Sequence, residues 1–343
     1  MNVKINNNTS FSFLGWMGLH IEDFLAKAQA NGIVSQNIFS IEFTGREIEI
    51  PWGAFFEKFT NLKSVTISGS ERVRLNCYNF DKSTIENVYI SAPEIWFNDG
   101  VFFNAPMLRR VTIHGKIIDG HHGGFSEMTF RNCEKLEYVD GCYHGSKVMP
   151  SVFENCKALF HPMDFYVTYL GSGTFAYCRS LKHIHLHNGL INMGLSSFEG
   201  CVSLEDVYIP DTVRDMGHNT FKGCSSLKKV HIPNNISKIG DSVFEDCISL
   251  GKVFLPDSLI QIERCAFKNC ISLQRPWMPN GLLTIGEQAF AGCSAIKELW
   301  IPQSVTSIGK DAFAGCLDLI IRGKSGSTAE IFANENGIVF LPD

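Results

Sequence analysis

The run FKGCSSLKKVHIP, residues 221–233, decides the fold, because the chain keeps repeating it. It returns as FEGCVSLEDVYIP from Phe198, FEDCISLGKVFLP from Phe244, FKNCISLQRPWMP from Phe267 and FAGCSAIKELWIP from Phe290. It also opens at Phe175 (FAYCRSLKHIHLH) and Phe313 (FAGCLDL), so these phenylalanines stand 23 residues apart. Upstream copies drift. FENCKAL begins at Phe153 and FRNCEKLEYV at Phe130. Phe102 begins a copy with Ala105 in the cysteine place, Asn79 one recognised by Ile85, Val88 and Ile90, and Phe56 the copy FEKFTNLKSVTI. The count is about twelve coils, with about five extra residues between Phe102 and Phe130. A fixed period of this size predicts a solenoid: one coil cannot bury its own apolar face, and stacked coils bury it for each other.

Each place in the repeat has a physical reading. Val207 and Ile209, Val230 and Ile232, and Val253 and Leu255 alternate with polar or aromatic residues, which predicts short strands with one face buried. Pro210, Pro233, Pro256, Pro279 and Pro302 follow and stop them. A second apolar pair comes next, such as Ile236 with Ile239 or Val305 with Ile308. Gly194, Gly217, Gly240, Gly286 and Gly309 then turn the chain into the next Phe segment. Cys133, Cys156, Cys178, Cys201, Cys224, Cys247, Cys270, Cys293 and Cys316 all fall three residues after the repeat Phe. That regularity predicts a buried, reduced ladder in place of a disulfide framework, since free Cys behaves as a small hydrophobe. Redox or metal roles for some of them are the alternative. Cys77, Cys142 and Cys265 lie outside the ladder.

A solenoid exposes its core at both ends and needs caps. Residues 1–49 are read as an N-terminal capping segment. Ile21, Phe24, Leu25 and Ala28 give residues 18–31 an amphipathic helical pattern. Residues 50–322 are read as the repeat array and 323–343 as the C-terminal cap. There Ser327 and Glu330 suggest a capping box for a helix over 328–336, ended by Gly337. Ile338, Val339 and Phe340 are expected to lie against the last coil.

Composition excludes several classes. Net charge is −5 and no basic block stands out, which argues against nucleic acid as partner. No apolar run approaches the roughly 18 residues of a membrane helix, so no membrane insertion is expected. The first residues, MNVKINNNTSFSFLGWMGLHIEDF, have no continuous apolar stretch and do not read as a signal peptide. Phosphate-loop, dinucleotide and serine-hydrolase signatures are missing. No enzyme activity and no cofactor are therefore expected.

The run FxxCxxLxxVxIP, with Ile-Gly before the next Phe, resembles the BspA-like class of bacterial leucine-rich repeats. GKSGSTAEIFANENGIVF, 323–340, looks like the tail that closes such arrays. The resemblance spans residues 170–343 and reaches back to residue 50; residues 1–49 are outside it. It implies an α/β-type leucine-rich-repeat solenoid, right-handed, with a parallel sheet on one face and irregular or short helical segments on the other. It also implies surface-associated or secreted bacterial proteins that bind host or microbial partners without a shared catalytic motif. Two departures stand out: the missing signal peptide, which leaves localisation open, and the uneven coils between Phe102 and Phe175.

In each strand, the residue between the two buried positions must point outward. On successive coils these are His185, Tyr208, His231, Phe254, Trp277 and Trp300. Tyr89, flanked by Thr66 and Thr112, holds the same place upstream. Two residues earlier the outward row reads His183, Asp206, Lys229, Lys252, Arg275 and Glu298. The functional reading is an aromatic binding strip for a protein or carbohydrate partner. The competing reading is that stacked rings only steady neighbouring strands, at about 0.2–1 kcal/mol per pair. Pro276 takes a buried strand position and is expected to interrupt the strip. A second patch gathers His114, His121, His122, Cys142 and His144 near the insertion. Imidazole and thiolate are zinc-ligand types, yet the spacing matches no metal motif, and HHGG reads equally well as a solvated loop. The expectation is thus a non-enzymatic recognition or adhesion module. A structural scaffold or assembly subunit is the alternative, and a metal-dependent enzyme at the His/Cys patch a third reading.

Overall fold

The computed structural model describes residues 1–6, 9–13, 21–118, 125–162 and 164–343. It comprises two compact units, Met1–Val167 and Thr168–Asp343. Both are parallel β-solenoids, and together the described residues make about thirteen turns.

The second unit follows the repeat closely. Strands Asp206–Tyr208, Lys229–His231 and Lys252–Phe254 pair in parallel, with Tyr208, His231 and Phe254 in register. Glu298–Trp300 pairs in the same sense with Ile320–Gly323. The second apolar pair of each coil builds another parallel ladder, Lys238–Ile239, Gln261–Ile262, Thr284–Ile285 and Ser307–Ile308. A third ladder has no strand geometry: the Phe198, Phe221, Phe244 and Phe267 amides donate to the carbonyls of Thr220, Val243, Ala266 and Ala289 at 2.7–2.9 Å. Phe175, Phe198, Phe221, Phe244, Phe267, Phe290 and Phe313 stack face to face, with centroids 5.2–5.6 Å apart. This column of buried rings explains why phenylalanine marks the repeat.

The cysteine ladder is buried from Cys133 to Cys293, and the last member, Cys316, is half-buried. Each thiol also has a hydrogen-bond partner, which the sequence does not show. Cys201, Cys224, Cys247, Cys270 and Cys293 donate to the carbonyls of Phe175, Phe198, Phe221, Phe244 and Phe267 at 3.0–3.2 Å. Cys133 and Cys156 do the same in the first unit. Burial pushes the Cys133 and Cys201 thiols up to about 12, and those of Cys224 and Cys247 well above the ordinary range. All twelve cysteines are free thiols. The residue before each ladder cysteine takes a left-handed backbone, from Gly200 at φ 69° to Asp246 at 62° and Asn269 at 61°. The spellings GC, NC and DC are thus conformational, since Gly, Asn and Asp tolerate this region best. Tyr177, at φ 61°, is the exception; its hydroxyl donates to Glu199 at 2.9 Å.

The first unit bends the same coil differently. Strands β1 (Asn2–Ile5) and β2 (Thr9–Ser12) are antiparallel to one another, and β1 is antiparallel to β3 (Ser40–Ile50). Strands β3, β4 (Ser64–Leu75), β5 (Asn87–Phe97) and β6 (Arg110–Ile117) are parallel, with Thr66, Tyr89 and Thr112 in register. In β4, Ser68-Gly69-Ser70 stands where later coils have proline. One strand therefore continues round the corner, with a register shift between Ser68 and Arg72. Parallel stacking starts at Ser40, inside the segment 1–49 that the sequence reading assigns to the cap. The turn carrying β3 accounts for the one beyond the twelve counted. The cap helix α1 runs Ile21–Ala30, and its Phe24 ring meets Phe43, Phe55 and Phe59 at 5.5–6.4 Å. A correction falls at the second coil. Phe80, not Asn79, joins the ring column, stacking on Phe56 at 4.6 Å and Phe102 at 4.5 Å. Asn79 instead spends its side chain on backbone, accepting from the Asn76 amide at 2.9 Å and donating to Pro51.

At the C-terminal end, α2 (Thr328–Glu335) and the strand Val339–Pro342 close the array, the latter parallel to Ile320–Gly323. The Ser327 hydroxyl makes no cap bond and is buried without a partner. Glu330 accepts from the Gly326 amide at 2.6 Å, one residue before the N-cap, and the Ser327 amide donates to Lys324 at 3.1 Å, so the expected capping box does not form. Gly337 ends the helix at φ 64°, with Ile338 donating to Ala333 at 2.9 Å, a Schellman closure.

Candidate functional site

The parallel register sets the aromatic strip. Buried Val207, Val230 and Val253 force Tyr208, His231 and Phe254 outward on adjacent strands. Tyr208 is 57% exposed, Phe254 76% and Trp277 61%, values far above those of ordinary core aromatics. His185 and His231 are exposed, and Trp300 is half-buried. Tyr208 and His231 stack at 4.8 Å with planes 4° apart, and Trp277 and Trp300 at 5.9 Å and 17°. Phe254 has no ring stacked on it among the described residues. His231 is held by Asp211, Nε2 to Oδ1 at 3.1 Å, and Trp300 donates from Nε1 to Asp343 at 2.8 Å.

Pro276 interrupts the strip as expected: it is buried, and residues 275–278 carry no strand. The break leaves a pocket of about 260 Å³ lined by Arg275, Pro276, Trp277, Met278, Glu298 and Trp300. Arg322 pairs with Glu298 on its rim. Because the paired rings stack along the coil direction, they cover each other's faces and turn their edges to solvent. Those edges are the electropositive part of the ring quadrupole. None of these exposed rings supports the ring column beneath. Phe254→Ser is therefore expected to change stability by less than about 0.5 kcal/mol, read as an unchanged thermal melting midpoint.

The described members of the His/Cys patch, His114, Cys142 and His144, lie in the first unit and stand apart from one another. The His114 ring lies 5.4 Å from that of Tyr89, Cys142 on the strand Cys142–His144 is in register with Asp164, and His144 stacks on Tyr166 at 4.2 Å. His114, Cys142 and His144 do not gather as a ligand set within 4.8 Å. His121 and His122 lie outside the described residues.

The sequence reading missed a different group, His218, Asp241 and Glu263, whose donor atoms all lie within 4.8 Å of one another. It arises because Glu263 stands where neighbouring coils have the turn glycine. The atoms are already engaged. His218 Nδ1 accepts from the Asp241 amide at 2.9 Å, while Lys238 faces Glu263 at 3.2 Å and Arg264 faces Asp241 at 3.8 Å. This is a charge-balanced surface network. No helix of the described residues is long and apolar enough to cross a membrane.

Comparison with known proteins agrees with this geometry. The BspA type Leucine rich repeat region, in 6 copies, matches residues 33–160, 118–228, 153–274 and 214–328. A leucine-rich repeat protein from Bacteroides ovatus has a similar structure, with 22% identity, a TM-score of 0.60 and coverage of 89% of this chain and 96% of its own. A leucine-rich cell surface protein from Faecalibacterium prausnitzii matches at 24% identity and a TM-score of 0.47, over 89% of this chain and 91% of its own. The T. pallidum leucine-rich repeat protein matches at 25% identity and 0.42, over 68% and 85%. No curated protein sequence matches the chain. With repeat copies matched from residue 33 to residue 328, and with the coil geometry those copies require, the chain belongs to the BspA-type leucine-rich-repeat family.

Proposed function

We propose that the chain is a non-enzymatic recognition module that binds a protein or carbohydrate partner through the outward face of its main sheet. The observation that carries this reading is the strip His185, Tyr208, His231, Phe254, Trp277 and Trp300, repeated coil after coil. Four of its rings stand in stacked pairs in the solvent. Rigid aromatic surface of this kind dominates interface energetics at low entropic cost. The exposed Phe254 is hard to explain by stability alone, because no ring stacks on it. Adhesion at a cell surface is the setting that family membership favours.

The test is a screen of the purified protein against a glycan array and a panel of extracellular-matrix proteins. Tyr208, Phe254 and Trp300, all changed to Ser, form the comparison variant. Loss of about a hundredfold in affinity for any hit, with the melting midpoint kept, is expected. A hit bound equally well by wild type and variant would move the site off the strip.

A further inference from the structure

Beside the aromatic row runs a second outward row whose charges do not cancel. At its ends Asp206 is hydrogen-bonded to His183 at 2.9 Å, and Glu298 pairs with Arg322. Between them, Lys229, Lys252 and Arg275 follow one another on three consecutive coils. Lys229 and Lys252 are in direct register, and the Gln274 amide donates to Gly251 at 3.3 Å, which carries the same register on to Arg275. All three are exposed, and none has an ion-pair partner among the described residues. Coil spacing puts successive cations roughly 5 Å apart at their Cα atoms. Elsewhere the outward charges of the coils pair across them, as in Lys228 with Glu205 at 2.8 Å and Lys222 with Glu245 at 2.9 Å. Three like charges left side by side cost stability through mutual repulsion, so this row is poor design for the isolated fold.

We propose that Lys229, Lys252 and Arg275 form a cationic rail that docks an acidic, extended protein segment along the coils, with one bulky apolar side chain seated in the Trp277–Trp300 pocket. This inference rests on the reading of the sheet face as the binding surface, and it names the partner's chemistry. Three observations select the occupant. The rail lies directly beside His231, Phe254 and Trp277; the stacked pairs of His231 with Tyr208 and Trp277 with Trp300 show electropositive edges, so carboxylates are favoured by both rows. The opposite flank carries Asp211, already bound to His231, and Asp257, which has no ion-pair partner among the described residues. The acidic side of the ligand is thereby directed to the rail. The pocket of about 260 Å³ lies at the end of the rail and has room for a single large side chain. A sugar ring would want an open aromatic face, and each stacked ring has one of its two faces covered by its partner; only Phe254 keeps both faces clear.

The experiment is fluorescence anisotropy of the full chain with four labelled probes: a Glu/Ser peptide, the same peptide with one central Leu, a Lys/Ser peptide with that Leu, and a heparin oligosaccharide. The Glu/Ser/Leu peptide is expected to bind tightest, to weaken steeply with added salt, and to lose about a hundredfold on Lys229→Glu, Lys252→Glu and Arg275→Glu together. Trp277→Ala is expected to remove only the gain contributed by Leu. All four positions are exposed, and an unchanged melting midpoint checks that the variants fold. Equal affinity for the acidic and basic peptides would overturn the rail, as would full binding by the charge-reversed variant. Binding of heparin without the acidic peptide would overturn the choice of a protein segment. Failure of the aromatic reading is a separate result: Tyr208, Phe254 and Trp300 changed to Ser would then leave peptide affinity intact while charge reversal still abolishes it.

Discussion

Raising the pH above about 9 is expected to unfold the Thr168–Asp343 unit cooperatively, within roughly one and a half pH units. The cause is the cysteine ladder. Cys201, Cys224, Cys247, Cys270 and Cys293 are fully buried, and burial raises each thiol pKa. In the fold these thiols stay protonated, while in the unfolded chain they ionise from about pH 9. The unfolded state therefore binds fewer protons, and stability falls as pH rises. Below pH 9 both states hold the proton, so this effect disappears. Each thiol contributes about 1.4 kcal/mol per pH unit. Five of them give roughly 7 kcal/mol per pH unit, against a typical domain stability of about 5–15 kcal/mol. Far-UV circular dichroism and tryptophan fluorescence against pH measure it. Cys224→Ser with Cys247→Ser keeps the donors and removes two ionisations, so its alkaline slope is expected to fall by about two fifths. Native signals persisting to pH 11, or an unchanged slope in that variant, would refute the mechanism. At neutral pH a thiol reagent is expected to label exposed Cys142 rapidly and the buried ladder cysteines, Cys133 to Cys293, only after denaturation.

The second large effect is expected at one of two glycines that look alike in sequence. Gly240 and Gly286 both follow the second apolar pair. A Cβ at Gly286 would sit 2.5 Å from the Glu263 carbonyl carbon and 2.7 Å from the Arg264 amide, both backbone of the coil beneath. The nearest atoms to a Cβ at Gly240 would belong to side chains, the His218 ring at 3.2 Å and a Val243 methyl at 3.6 Å. Backbone in a stacked solenoid cannot move aside without breaking its ladder; a half-exposed imidazole can. Gly286→Ala is therefore expected to cost about 3 kcal/mol, and Gly240→Ala to stay within about 1 kcal/mol of wild type, helped by the lower entropy of its unfolded chain. Differential scanning calorimetry of the two variants decides the matter. Equal shifts would mean that stacked backbone is not what holds these glycines.

The difference between Gly240 and Gly286 shows where sequence reading stops. The period, the strand alternation, the proline stops and the cysteine column are all carried by residues that recur at fixed spacing, and all were legible. Regularity fails first where the coil changes its spelling. At the second coil the spacing points to Asn79, but the ring column needs a phenyl group, and Phe80 supplies it one residue later. In β4 and β5 (Ser64–Leu75 and Asn87–Phe97) the corner continues as strand, because the linkers there adopt a register shift.

The candidate site divides in the same way. Which rings face outward follows from period-2 alternation in one coil, so His185, Tyr208, His231, Phe254, Trp277 and Trp300 could be named from the chain alone. What those rings touch could not, because stacking joins residues 23 positions apart. Tyr208 and His231 pair, Trp277 and Trp300 pair, and Phe254 is left open. The lack of ion-pair partners at Lys229, Lys252 and Arg275 is likewise a property of neighbouring coils, as is the convergence of His218, Asp241 and Glu263. The repeat determined by itself that this is a solenoid and which side of each strand is wet, since both follow from local periodicity and the need to bury one face. Only the tertiary structure decided which charges cancel, which rings cover one another and which glycine has backbone against its Cα, because those depend on distances between coils.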